Sequence, residues 1–254
     1  MIEKSNQDGV LELRLSFNES NAFTSEAFEA LFQSLEEHAS DETLRALVLT
    51  SSRTGFFSNG LSPDAVHGRA ESDVRALIGR FFDVLDRLFY FPTPTVCAIN
   101  GHAIGYGAML ALVSDYRFMV ERGARVSYPE VNLGIGLPVF VSSLLVELVG
   151  ITNARDLLLT GRALKSPEAV SMGLVDEALP EDSLLEKARS HAKKIGSGSR
   201  TAIRAIKANL KHAHRLNRET ILAKDRADTL ALLQSADAKE GFQALIEKRR
   251  PRFA

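Results

Sequence analysis

The sequence predicts an α/β fold with largely parallel strands, closed by a helical C-terminal region. Three observations carry this expectation. Strand-like apolar segments alternate with amphipathic helical stripes over the first half of the chain, the order expected of a parallel sheet. Beyond residue 137 the character becomes mainly helical. From residue 199 to 248, three helices and no strand are expected.

Taken in order, residues 10–15 (VLELRL) alternate apolar and charged side chains, the period-two signature of a half-buried strand. Asn18 to Asn21 make a polar turn. Residues 25–39 carry Phe28, Leu31, Phe32 and Leu35 as a helical stripe. Residues 46–49 (ALVL), followed by Thr50, Ser51 and Ser52, are a short buried strand. Residues 72–90 place Val74, Leu77, Ile78, Phe81, Phe82, Leu85 and Leu88 on one helical face. Residues 95–99 are a third strand ending at the turn Asn100-Gly101, and residues 116–120 a fourth. Residues 138–160 and 182–195 are helical, joined by a short strand at Gly173-Leu174-Val175-Asp176. Gly196-Ser197-Gly198-Ser199 is the most linker-like stretch, which divides the chain into a core over residues 1–195 and a helical region over 196–254.

With 254 residues the chain is long enough for a sizeable core without disulfides or metals. A net charge of −1 argues against a dedicated nucleic-acid binder or a polybasic membrane protein. Its one cysteine, Cys97, excludes an intrachain disulfide and a cysteine-rich zinc site, and on an apolar strand it reads as core rather than nucleophile. The longest uninterrupted apolar run, residues 108–113, is far short of the ~20 residues that span a bilayer. Glu3, Lys4 and Asp8 stand where a signal peptide needs an apolar run, so a cytoplasmic location is expected.

Several chemistries lack their motif. There is no Walker loop, no HExxH, no paired CxxC and no GxSxG elbow. Gly105-Tyr106-Gly107 and Gly134-Ile135-Gly136 do not complete a dinucleotide fingerprint. Two segments remain: GFFSNGLSPD at residues 55–64, and AINGHAIGYGAM at residues 98–109. Each sets glycine at a strand exit, just before an apolar helical pattern. Glycine lets the backbone turn and lets a ligand approach closely. The first N–H groups of a helix have no intrahelical partner. Two such ends converging would give one oxygen two backbone donors, an oxyanion hole made without side chains.

At these segments the sequence resembles the crotonase, or enoyl-CoA hydratase/isomerase, family. FFSNGLSPDAV resembles its F-S-x-G segment, and AINGHAIGYGAMLALVSDYRFM its I-N-G…G-G-G segment. VSYPEVNLGIGLP resembles its P-E segment, and LLLTGRALKSPEAVSMGLVDEALPEDSL a later stretch. The four lie in the family's order across nearly the whole chain. The resemblance implies a spiral core of ββα units with a C-terminal helical trimerisation region, assembled as a homotrimer or a hexamer of paired trimers. It implies a coenzyme A thioester as substrate, with no separate cofactor and no metal. Its two oxyanion donors fall on the backbone N–H groups of Leu61 and Tyr106. Contact with the ester falls on Phe57, Ser58, Asn59, Gly60, Asp64 and Gly105, and on Lys248.

The family's hydratases use two glutamates. Here the first of those positions is Met109, which can neither give nor take the proton, and the second is Glu130. One carboxylate suffices to move a proton from C2 to C4 of a 3-enoyl thioester, so the resemblance points to a Δ3,Δ2-enoyl-CoA isomerase, with 2-enoyl-CoA hydratase as the alternative. Val126, Tyr128, Val131 and Leu133 surround Glu130 in sequence and offer the apolar setting that raises a carboxyl pKa. A plainer role for Glu130 is to cap a helix after Pro129.

Other departures from the family pattern bear on detail. Tyr106 replaces a usual glycine, and its side chain either packs or narrows the acyl pocket. Leu61 replaces a small residue. Asp64 stands where several members carry a lysine, a loss that Lys248 could offset from a neighbouring subunit. His102, in the turn after the strand, reads as a structural hydrogen-bonding residue; His67 is not assigned a role. Asp115 is expected to satisfy backbone groups at a strand start.

Two readings belong to other classes. Arg200, Arg204, Lys207, Lys211, Arg215 and Arg218 form one helical stripe without an acidic residue, a surface for RNA. The plainer reading is a solvated face whose helix packs its apolar side inward. No aromatic interleaving supports base stacking, and nucleic acid is not expected as a partner. The other is a coenzyme A-binding pseudoenzyme in which Tyr106 blocks the hole.

Overall fold

The computed structural model describes residues 1–253. The chain starts with an antiparallel hairpin, β1 (Ile2–Gln7) and β2 (Val10–Leu15). Next comes α1 (Ser25–Ala39), capped by Thr24, whose hydroxyl accepts from Ala27 N. Its stripe of Phe28, Leu31 and Leu35 is buried. Three strand–strand–helix units follow. The first is β3 (Ala46–Ser51), β4 (Gly55–Ser58) and α2 (Glu71–Phe89). The second is β5 (Thr95–Ile99), β6 (Gly101–Ile104) and α3 (Tyr106–Val113). The third is β7 (Tyr116–Val120), β8 (Arg125–Ser127), a 3-10 turn (Glu130–Leu133) and α4 (Val139–Thr160), which is broken at Gly150.

The remaining elements are β9 (Leu164–Lys165), α5 (Ser166–Ser171), β10 (Glu177–Leu179) and α6 (Glu181–Gly196). Four helices close the chain: α7 (Arg200–Leu210), α8 (His212–Leu216), α9 (Arg218–Leu233) and α10 (Ala236–Ile246).

In each unit the first strand joins a six-stranded sheet, β1-β2-β3-β5-β7-β10, and the second joins a four-stranded sheet, β4-β6-β8-β9. All pairings are parallel except β1 with β2 and β8 with β9. This winding is the expected spiral of ββα units. Between the sheets α3 is buried on every side, which is why its sequence shows a continuous apolar run rather than a stripe. Cys97 lies in the middle of β5, fully buried, and burial pushes its thiol pKa up.

Several expectations need correction. No pattern in the sequence predicts β1, β4, β6 or β8; His102, expected in a turn, is on a strand, its ring beside that of Phe56. Residues 173–176 are not a strand. Leu174 and Val175 are buried, but their N–H groups both reach the carbonyl of Ala169, closing the turn after α5, and the strand begins at Glu177. The region after residue 199 holds four helices rather than three.

Part of the basic stripe turns inward, against its plainer reading. Lys207 and Lys211 point inward, onto the carboxylate of Asp115 at 2.5 and 2.7 Å. Lys207 also donates to the Thr93 carbonyl at 2.7 Å, and burial pulls its ammonium pKa down to about 8. Asp115 accepts from Thr95 N as expected, so one side chain joins a strand start to α7. Ile206, Leu210 and Leu216 face outward at 58%, 79% and 69% exposure. Among the described residues no helix is long and apolar enough to cross a membrane, and no cluster of metal-ligating side chains occurs.

Candidate active site

A cavity of about 320 Å³ opens where the small sheet, α2, α3 and the last two helices meet. Two backbone segments form one wall. Gly60 has φ +82°, a conformation costly for a side chain. A Cβ there would stand 2.7 Å from the Ile104 carbonyl and 3.3 Å from Tyr106 N, so the two segments touch backbone to backbone.

The next residue, Leu61, pairs with Phe23 in a parallel bridge. In this bridge Phe23 N donates to the Gly60 carbonyl (2.7 Å) and Ser62 N to the Phe23 carbonyl (2.9 Å). Strand alternation turns the Leu61 N–H to the other side, where no described residue accepts from it. Tyr106 is the first residue of α3, so its N–H has no intrahelical acceptor. Leu61 and Tyr106 both line the cavity. Two free amides thus border one space, the second at a helix N-terminus.

Among the described residues Glu130 is the only carboxylate in the lining. The 3-10 turn after β8 carries it in, 7% exposed. Its Oε1 lies 3.2 Å from where a Cβ on Gly105 would stand, so glycine at 105 (φ +52°) leaves room for the carboxylate beside the second amide. Its Oε2 is buried without a hydrogen-bond partner. Burial raises its pKa to about 7, only partly offset by its own backbone N–H. Of the four apolar residues expected around it, Val126 and Tyr128 are buried and Leu133 lines the cavity with it, whereas Val131 faces solvent. Met109 also lines the cavity, and among the described residues no second acid accompanies Glu130.

Tyr106 keeps its ring in a packed aromatic cluster, with centroids 4.8 Å from Phe23, 4.8 Å from Phe28 and 4.4 Å from Phe81. Its hydroxyl donates to the Phe81 carbonyl at 3.0 Å. The ring is thus anchored by packing, and Tyr106 and Phe81 both line the cavity.

The other expected contact residues divide. Asn59, Gly60 and Gly105 line the cavity. Phe57 and Ser58 are wholly buried: Phe57 is core, and the Ser58 hydroxyl bonds to backbone. Asp64 sits on an exposed turn in a separate shallow depression with Thr24 and Arg69. Lys248 is exposed and outside the lining; Arg249 borders the cavity instead, gripped by Glu240 and Glu247. Sequence reasoning missed the far wall: Ile78 and Phe81 from α2, Thr229 and Leu233 from α9, and Phe242 and Leu245 from α10. Their apolar spacing was visible, but a helical stripe looks the same facing a core or a cavity.

The chain matches the enoyl-CoA hydratase/isomerase family over residues 5–254. It is 31% identical over 234 residues to the 2,3-dehydroadipyl-CoA hydratase of Escherichia coli, covering 92% of this chain and 90% of that one. It is 36% identical over 171 residues to enoyl-CoA delta isomerase 3 of Arabidopsis thaliana, covering 65% of this chain and 71% of that one. The crystal structure of human mitochondrial Δ3-Δ2-enoyl-CoA isomerase superimposes with a TM-score of 0.93 at 24% identity, over 97% of each chain, a likeness of fold. With a match that begins at residue 5 and runs to the last residue, this chain belongs to the enoyl-CoA hydratase/isomerase, or crotonase, family of acyl-CoA enzymes.

Proposed function

We propose that the chain is a Δ3,Δ2-enoyl-CoA isomerase with Glu130 as its single proton shuttle. The observation that carries this reading is one buried carboxylate, its pKa raised to about 7, as the only acid among the described residues of a cavity bordered by two free amides. The thioester oxygen of a 3-enoyl-CoA accepts from Leu61 N–H and Tyr106 N–H. Glu130 removes a proton from C2, and the electron pair spreads through the dienolate to that oxygen. Glu130, now neutral, returns the proton at C4, leaving the double bond between C2 and C3. A carboxyl group poised near neutrality suits both halves of the transfer. Hydration would need a second group to activate or protonate, and Met109 lines the cavity without that capacity.

Parallel incubation with 3-hexenoyl-CoA and crotonyl-CoA tests the reading. Isomerisation of the first should far outrun hydration of the second; faster hydration would overturn the assignment. The same reading takes the assembly to be a homotrimer or a hexamer and the location to be the cytoplasm. The outward apolar face of α7 and α8 supports self-association.

A further inference from the structure

The first oxyanion amide belongs to a segment with little regular structure of its own, which raises the question of what holds it. The answer lies in residues 20–23. Asn59 N donates to the Ser20 carbonyl (2.9 Å), Phe23 N to the Gly60 carbonyl (2.7 Å), and Ser62 N to the Phe23 carbonyl (2.9 Å). The Ser58 hydroxyl donates to the Asn21 carbonyl (2.8 Å) and accepts from Gly60 N (3.2 Å). The 58–62 segment is therefore moulded on 20–23.

At the centre of that mould is Asn21, wholly buried and at φ +48°. Asparagine tolerates this left-handed conformation better than most side chains. Its amide nitrogen faces the Leu15 carbonyl (3.1 Å), Ser51 Oγ (2.7 Å) and the Phe57 carbonyl (3.3 Å), and its Oδ1 accepts from Phe17 N (2.9 Å). One side chain thus ties together the ends of β2, β3 and β4. It touches nothing in the cavity.

We propose that Asn21 is a positioning residue for the oxyanion hole, aiming the Leu61 amide through the hydrogen-bond relay Asn21–Ser58–Gly60. The proposal rests on the reading of the 61 and 106 amides as that hole. A misplacement of about 1 Å in such a site can cost about 100-fold in rate.

Hexanoyl-CoA, which has no double bond to move or hydrate, is the probe. The carbonyl stretch of the bound thioester, read by isotope-edited infrared difference, reports polarisation by the hole whatever reaction follows. Wild type should shift the band to lower frequency. Ser58→Ala removes the relay and keeps the Cβ; Asn21→Gly keeps the backbone conformation and removes the tether. Both should return the band toward its free position and lower kcat by about 10- to 100-fold, with KM within about threefold. Thermal midpoints are measured alongside, since a purely structural residue lowers the midpoint without moving the band of the folded complex. Should Asn21→Gly fail to fold, Asn21→Ser, which also removes the side-chain amide, takes its place beside Ser58→Ala. A wild-type band shift unchanged in the folded variants overturns the role of Asn21 and leaves the hole intact. A wild-type protein with no shift removes the hole, and this proposal with it.

Discussion

Glu130 sets function against stability. Burial moves its pKa from 4.5 to about 7, so between these values the native chain holds its proton more tightly than the unfolded chain. Native stability must therefore fall as pH rises through that window, by about 3 kcal/mol in all, and is fully penalised above it. The base form, which the proposed isomerisation needs to accept the C2 proton, grows over the same window. Two outcomes are expected. The isomerase kcat/KM of the wild type should rise with pH to a plateau beyond about 7. Glu130→Gln should lose about 10²- to 10⁴-fold in turnover yet denature at higher urea than wild type at pH 8. A variant with full turnover, or one destabilised at pH 8, would contradict the assigned burial and role.

Asp115 presents the opposite case, because its charge is compensated: the adjacent ammonium groups of Lys207 and Lys211 overcome burial and hold its pKa low. Asp115→Asn leaves two buried cations without a counter-charge and should cost about 3–5 kcal/mol by urea denaturation. The spacing of the lysines was legible in the sequence, but their direction was not. A stripe of bases names a helix face without saying whether an acid waits beneath it.

Among the elements, α1, β5 and β7 were legible because apolar periodicity over several turns or a whole buried strand leaves few alternatives. β4, β6 and β8 were not. Each is only three or four residues long, two of them start at glycine or include it, and their pairing is with strands far away in sequence. The residues proposed for the site came into view through the family resemblance; the glycine pattern beside Leu61 and Tyr106 was legible because it concerns backbone chemistry close by in the chain, whereas the side chain of Glu130 was reached through the P-E motif alone.

The first turn of α4 also depends on distant chain. Pro138 precedes it without a capping side chain, and the buried carboxylate of Asp225 on α9 accepts from Val139 N and Phe140 N at 2.8 and 2.9 Å. Pro138 lines the cavity, so this cap borrowed from α9 supports the cavity rim. Asp225→Ala should cost about 1–2 kcal/mol by chemical denaturation and raise KM more than it lowers kcat. An unchanged denaturation midpoint would show that water replaces the cap at no cost.

Over the whole molecule, the cavity takes its walls from both sides of the Gly196–Ser199 turn. Asp86 pairs with Arg218, and Asp83 with Arg226 at 2.6 Å, fastening α9 onto α2. Deleting the chain after residue 195 should therefore expose α2 and abolish acyl-CoA binding rather than leave a working core. The outward face of α7 and α8 carries Ile206, Leu210 and Leu216, exposed apolar side chains of the kind that subunit contacts cover. Light scattering after gel filtration should give a mass of three or six chains. Leu210→Asp should lower that mass, and an unaltered mass would move the contact elsewhere.

The molecule's solitary thiol is sealed inside β5. Maleimide dyes added to the native protein should thus find nothing to react with. A cysteine planted on the exposed side of α10 would become the one position open to a fluorophore, letting the helix over the cavity report ligand entry against a silent background.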